Sequence, residues 1–335
     1  MDFAAWGHPY SEFPAGQDSP DDFRRAFGRL KDSGLDIYLP FVMSGGKHHF
    51  DSATLGPPER DLLGPCVEAG AEAGLEVHPI VGLGAVAAMA SGGAYLYDPG
   101  PSPEELPSWA RNWACAAWPE NRQITCTVAA EIMNGYSPDG LHMDYLRYPN
   151  SVVLNARPCQ CERCQGEREQ WLGKPVPTAE DLQTPGVIHQ EIRMRSRFVK
   201  SIVHGLREVA DDAGAPLSLA ARARYLKDAV AEGQDWVEWC AEGLLDFVCP
   251  MSYNPCPDRF ERFVGEHTGL LSGTGTPLYC GIGRSSSLGR IDAAAMAAQI
   301  RHAAGEGADG ICLFHVGALE EADLTALKGL AEELK

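Results

Sequence analysis

The feature that most constrains this chain is a strict alternation of two kinds of segment. Short apolar or period-2 runs occur at 2–7, 35–43, 75–83, 139–149, 216–222, 245–252, 277–283 and 309–316. Between and after them lie stretches at about 20–33, 58–73, 119–134, 188–209, 228–242, 257–270, 291–304 and 319–334, with apolar residues at helical spacing. Gly34, Gly74 and Gly135 close three of these helices, and Pro119 opens another. Eight strands alternating with eight helices demand a parallel sheet with right-handed crossovers. In 335 residues this is the size of a (β/α)8 TIM barrel of the α/β class. A doubly wound sheet would open with a Gly-x-Gly-x-x-Gly turn, which GHPYSEFPAG is not. No repeat or composition break marks a second domain. The expectation is one domain, 1–335, with long loop insertions at 84–118 and 150–186 on the active-site face.

The fourth run, DGLHMDYLRYP at 139–149, is the most informative. Leu141, Met143 and Tyr145 alternate with His142, Asp144 and Leu146, and Pro149 ends the strand. His142 and Asp144 therefore share a face. Asp144 stands at the carboxyl end, where parallel barrels build their sites, with Arg147 and Tyr148 just beyond. An inward carboxylate there loses its water shell, and Arg147 is the partner that can hold it ionised. Such a group suits a nucleophile or an electrostatic stabiliser.

The other strand ends add Trp6 and His8; the Gly-rich 44–49 stretch with His48 and His49; His78; Arg222 and Arg224; Tyr253 and Asn254; Arg284; and His315. With Arg147 and Tyr148, and apart from His48 and the catalytic candidate His315, these are the candidate substrate-binding groups, and the whole is a denser polar and aromatic set than a packed barrel requires. Aromatic rings stack on sugar faces, and Tyr95, Tyr97, Trp109 and Trp113 in the first insertion are further candidates, whereas Trp118, like Trp113, leads into the third helix.

The 139–149 segment resembles the Asp-Gly-Ile/Leu-His-x-Asp-Tyr-Ile/Leu-Arg-Tyr-Pro strand of the family 10-like glycosyl hydrolases, which are (β/α)8 barrels. GLEVHPIV is similar to their third strand, and DWVEWCAEGLLDFVCPMSYN to their Asp-Trp-x-x-Trp and Asp-x-Val-x-Pro-Met-x-Tyr motifs. The similarity runs from about residue 30 to the last strand. The Gly-x-His-x-Asp pattern is also similar to the fourth strand of α-amylase-type enzymes. That resemblance implies a glycoside hydrolase with Asp144 in the nucleophile's position and His142 in that of the neighbouring basic residue.

The departure from a glycosidase lies in the second carboxylate. Such enzymes pair two, about 5–5.5 Å apart if retaining and about 6.5–9.5 Å if inverting. Here the fifth strand ends in Arg222 and Arg224, and no Glu ends the fourth, sixth or seventh. Substitutes come from loops: Asp228 and Asp235 after the fifth strand, Asp51 after the second or Glu320 after the eighth; Glu131 sits too far back. His315 or His142 is an alternative proton donor.

Composition excludes some classes. A net charge of −18 argues against a nucleic-acid backbone or an anionic membrane surface as partner and favours a neutral or cationic ligand. There is no apolar run long enough to span a membrane, and MDFAAWGHPY lacks the blocks of a signal peptide, so the expected location is cytoplasmic. Eleven cysteines, an odd number scattered through apolar segments, read as reduced thiols. Cys159, Cys161 and Cys164 are the exception, spaced to bind a structural Zn²⁺ with a fourth ligand such as Cys256 or His189; reduced or redox-labile thiols are the alternative. No cofactor is required for the chemistry. The expected partner is a carbohydrate substrate, and the competing readings are a non-catalytic carbohydrate-binding barrel and a lyase or isomerase using the rim histidines.

Overall fold

The structure is a computed structural model that describes residues 1–44, 46–83, 96–98, 100, 113–149 and 158–335. The eight expected strands form at Asp2–Gly7, Ile37–Pro40, a third in two pieces (Glu76–Val77 and Ile80–Val81), Leu141–Met143, Leu217–Ala221, Phe247–Pro250, Tyr279–Gly283 and Gly310–Phe314. All neighbours are parallel. The first strand pairs with both the second and the eighth. Single parallel bridges, Phe41 to Ile80 and Val248 to Leu278, join the remaining seams and complete the circuit of a TIM barrel.

The third strand is divided because Pro79 has no N–H to give the ladder. Before it, Val77 pairs with Tyr38; after it, Ile80 pairs with His142. The fourth strand is shorter than the alternating pattern suggests. Tyr145, with φ of 57°, turns the chain out of extended geometry directly after Asp144.

Helices pack around the outside. Pro20–Asp32 starts from a Ser19/Asp22 capping box and buries Phe23, Phe27 and Leu30, as the spacing predicts. Leu63–Ala73 closes on left-handed Gly74. Pro119–Tyr136 runs through Gly135 and stops at Ser137, whose φ is 50°. The longest helix, Pro185–Ala213, closes on Gly214. The helix expected over 228–242 is not continuous: one turn spans Tyr225–Ala229 and a short helix spans Trp236–Ala241, with Gly233 left-handed between them. A Cβ on Gly233 would lie 2.9 Å from the Arg195 backbone, so glycine is needed there for space as well as for φ. No helix among the described residues is long and apolar enough to cross a membrane.

Strand side chains alternate between two cores. Phe3, Ala5, Leu141, Met143, Leu217 and Leu219 face the helices, whereas Ala4, Trp6, Leu39, Phe41, Ala220, Cys249 and Cys312 fill the barrel. At its centre is a buried polar group. Trp6 Nε1 donates to His142 Nε2 at 3.1 Å, which leaves the ring's proton on Nδ1 to bond Ser218 Oγ at 2.7 Å. Burial, with His78 adding repulsion, lowers the His142 pKa to about 3. The neutral ring is therefore the folded form. A folded pKa below the unfolded one means stability is intact above pH 6.5 and is lost as pH falls from there towards 3, because only the unfolded chain takes up the proton. Denaturant unfolding of wild type and His142→Leu at pH 7, 5.5 and 4.5 measures this: the wild type should lose more stability per pH unit than the variant, by about 1 kcal/mol per unit.

Candidate active site

The carboxyl ends of the strands carry two adjoining clusters, one ionic and one aromatic. Asp144 begins the ionic one. Its Oδ1 accepts from the Tyr145 amide at 2.6 Å and from Arg147 Nη1 at 3.3 Å. Gly82 lets the third strand come this close, since a Cβ there would stand 2.5 Å from the Asp144 carbonyl oxygen. Arg147 Nε also pairs with Glu232 at 3.2 Å, Glu232 with Arg222 at 3.2 Å, and Asp228 with Arg222 at 3.3 Å and Arg224 at 2.7 Å. Three carboxylates and three guanidiniums thus alternate along one chain of contacts. Asp144 is 5% exposed and Glu232 1%. Burial raises the Asp144 pKa, and Arg147, the Tyr145 amide and Arg222 partly offset the rise.

The aromatic cluster sits beside it. Tyr253 stacks on Phe314 at 4.9 Å and meets Trp6 edge-on at 5.8 Å. Burial pushes the Tyr253 phenol up, with Cys312 and the Asp144 charge adding to it. Trp6, which meets Tyr253, also bonds His142 two residues before Asp144, and this links the two clusters. His8 stacks on Phe41 at 4.5 Å and lies 5.0 Å from His315. Burial, then the neighbouring His315, lowers His8 to about 4, and burial lowers His315. The Nδ1 atoms of both rings lack hydrogen-bond partners among the described residues. Tyr10 is exposed and lies parallel to His49 at 5.9 Å, extending the patch outward. Tyr145, 46% exposed, carries the Arg147 guanidinium over its ring at 4.9 Å.

Several residues expected at the site are placed elsewhere. His142 lies one layer below Asp144 with both ring nitrogens bonded, so it is a core group rather than a proton donor. His78 is buried against Gly140 at the level of Phe247, and its Nε2 contacts Glu76. Asp235 caps the Trp236–Ala241 helix and accepts from the Tyr225 hydroxyl. Asn254 forms a local turn to the Cys256 amide. Arg284 is buried against Asp323 at 2.8 Å and tethers the last helix. Tyr148 points away from the mouth into a cluster of cysteines. Asp51 is exposed, Glu320 caps the Glu321–Leu334 helix, and Glu131 holds Thr54. Of the insertion aromatics, Trp113 supports Arg147 by donating to its carbonyl at 2.7 Å, Tyr97 packs edge-on against Tyr148, and Trp118 lies under Arg163. Tyr95 and Trp109 lie outside the described residues.

Sequence reasoning missed Glu232, because reading 228–242 as one helix put it on an outer turn. The Glu-Gly pair at 232–233, mid-helix, was the available signal. It also missed Cys115, which meets Cys159, Cys161 and Cys164 in a buried cluster able to hold a metal. Cys256 is exposed at a helix cap, and His189 lies on the Pro185–Ala213 helix; neither belongs to that cluster.

No protein-family model matches the sequence, and no curated protein does. Among solved structures the fold is similar to the glycoside hydrolase domain of PgaB (BpsB) from Bordetella bronchiseptica, at TM-score 0.77 and 15% identity over 100% of this chain and 98% of that one. It is similar to the catalytic domain of a β-amylase from Paenibacillus polymyxa, at TM-score 0.65 and 11% identity over 100% and 98%. It is also similar to a glycoside hydrolase family 18 N-acetylglucosaminidase from Paenibacillus barengoltzii, at TM-score 0.52 and 12% identity over 98% and 99%. At these identities the likeness is one of fold: the chain has a glycoside hydrolase-like barrel, and its resemblance to the family 10-like enzymes rests on sequence motifs alone.

Proposed function

We propose that the chain is a glycoside hydrolase acting on an oligosaccharide or glycoside, with Asp144 as its central carboxyl group. The observation that carries this reading is the juxtaposition at the barrel mouth of a buried carboxyl and a patch of stacked aromatic rings. The rings supply flat faces for a sugar, and the carboxyl supplies the proton chemistry of glycosidic cleavage. The fold shared with glycoside hydrolases supports it.

The raised pKa shifts the role expected for Asp144. A carboxyl whose neutral form is favoured by burial suits the proton donor to the leaving oxygen better than the nucleophile. Glu232 is the second carboxylate. Because Arg147 bonds both, their separation stays below the roughly 9.5 Å upper limit of an inverting pair. Arg222 and Arg224 then act on the carboxylates rather than on substrate. His8 and His315, neutral near pH 7, offer their Nδ1 atoms to sugar hydroxyls. With its pKa lowered to about 4, His8 is a weaker base than a free histidine, which counts against the histidine-based lyase or isomerase reading. Carbohydrate is the proposed partner, and the cytoplasm the proposed location.

A panel of chromogenic glycosides and defined oligosaccharides tests the reading. Asp144→Asn should lower kcat by about 10²- to 10⁴-fold while leaving circular dichroism and the unfolding midpoint near wild type. Turnover that survives the substitution would remove Asp144 from the mechanism. If wild type binds sugars by calorimetry yet cleaves none of them, the non-catalytic barrel replaces the hydrolase.

The pH profile gives a second check. A proton donor works only while protonated, so activity should fall as pH rises through the Asp144 pKa. Arg147 lowers that pKa. Arg147→Met should therefore move the basic limb of kcat/KM to higher pH, by about one unit or more. A limb that moves down, or stays in place, counts against Asp144 as the donor.

A further inference from the structure

Four sulfur atoms meet beneath the active-site loop. Cys115 comes from the segment before the Pro119–Tyr136 helix, and Cys159, Cys161 and Cys164 from the entry to the Glu162–Leu172 helix. Cys115 Sγ lies 3.6 Å from each of the other three, and all four fall within 4.8 Å of one another. Four thiolates at about 2.3 Å from a tetrahedral Zn²⁺ would stand about 3.8 Å apart. A disulfide requires about 2.05 Å, so none of these pairs is bonded to another. All four cysteines are free and buried.

The surroundings suit anionic sulfur. The Asp98 amide donates to Cys159 Sγ at 3.4 Å, and the Tyr148 hydroxyl stands 3.5 Å from Cys115 Sγ and 3.8 Å from Cys164 Sγ. Arg168 is fully buried, donates to the Cys159 carbonyl at 2.6 Å and grips Glu191 with two bonds. Arg195, also fully buried, pairs with the same Glu191 and covers the Tyr148 ring at 5.2 Å. Two buried guanidiniums against one buried carboxylate leave an excess of one positive charge. Four neutral thiols would leave that charge uncompensated, whereas a Zn²⁺ tetrathiolate, carrying two negative charges, offsets it and is itself half neutralised by it.

From this geometry we infer that Cys115, Cys159, Cys161 and Cys164 bind one Zn²⁺, which anchors the Arg147–Tyr148 segment to the outside of the barrel. The anchorage has two strands of contact. Tyr148 reaches the ligand sulfurs directly, and Trp113, two residues before ligand Cys115, donates to the Arg147 carbonyl. The ion is structural: four protein ligands close its shell and leave no position for substrate or water. Its ligands must be deprotonated, so binding releases thiol protons and strengthens as pH rises.

The inference stands apart from the glycosidase reading and is tested without a substrate. Full-length protein purified without added metal should carry close to one zinc per chain by elemental analysis. Absence of bound metal, or stoichiometric iron in its place, overturns the assignment. Exchange into Co²⁺ should give the strong visible d–d bands and near-ultraviolet thiolate charge transfer of a tetrahedral sulfur site; a weak octahedral spectrum refutes it. Cys161→Ser should lose most of the zinc while Cys256→Ser keeps it. If Cys161→Ser is insoluble, the cobalt spectrum of the unaltered chain still decides. Chelation should speed hydrogen exchange at the Arg147 and Tyr148 amides well before that of the Gly310–Phe314 strand, and uniform acceleration would refute the local anchorage.

Discussion

The guanidinium of Arg147 is the contact on which the mouth of the barrel depends. It touches Asp144, from the loop after the fourth strand, and Glu232, from the loop after the fifth. Each carboxylate is nearly buried, and an ionised group without a partner at that depth costs several kcal/mol. One cation therefore makes two loops compatible with each other. Arg222 repeats the arrangement between Glu232 and Asp228, and Arg224 ends the series at the surface. Removing a middle member takes a partner from each of its two neighbours, so the contacts depend on one another as a set.

How much of this was legible in the sequence follows from the range of the interactions involved. The barrel was legible because each strand and helix announces itself locally, and eight alternating units admit few topologies. Asp144 and Arg147 were legible because they are three residues apart and one constrains the other. Tyr148 was misjudged for the same locality: the pleat put it on the rim, but Tyr145 with its positive φ turns the chain, and Tyr148 goes into the cysteine cluster instead. His142 was placed on the correct face. What the pattern could not show is that Trp6 and Ser218, far away in sequence, occupy both of its nitrogens.

The residues that were missed share one cause. Glu232 lies where helical spacing continues through the sequence while the chain itself turns at Gly233, where the Arg195 backbone of another helix leaves no room for a side chain. Cys115 is 44 residues from Cys159, so no spacing rule connects it to the CxCxxC segment. Both are set by tertiary contacts of the Pro185–Ala213 helix and of the segments around Cys115 and Cys159, and packing of that kind leaves no periodic trace.

The balance of charge at the mouth bears on what it can accept. With Asp144 ionised, Asp144, Glu232 and Asp228 are matched by Arg147, Arg222 and Arg224; with Asp144 protonated, one positive charge is left, held on guanidiniums already paired with Glu232 and Asp228. The chain as a whole carries −18, and none of that excess is spent in this cluster. Selection at the mouth then falls to ring faces (Tyr253, Phe314, Tyr145, Phe41) and to neutral polar atoms on His8 and His315. Such a surface favours a ligand with apolar faces and many hydroxyl edges over one defined by charge, and it holds that preference across pH because His8 and His315 have pKa values lowered by burial. At Asp144 burial outweighs the cation beside it, so under the proposed function this carboxyl is the one placed to hold the proton that a glycosidic oxygen would take.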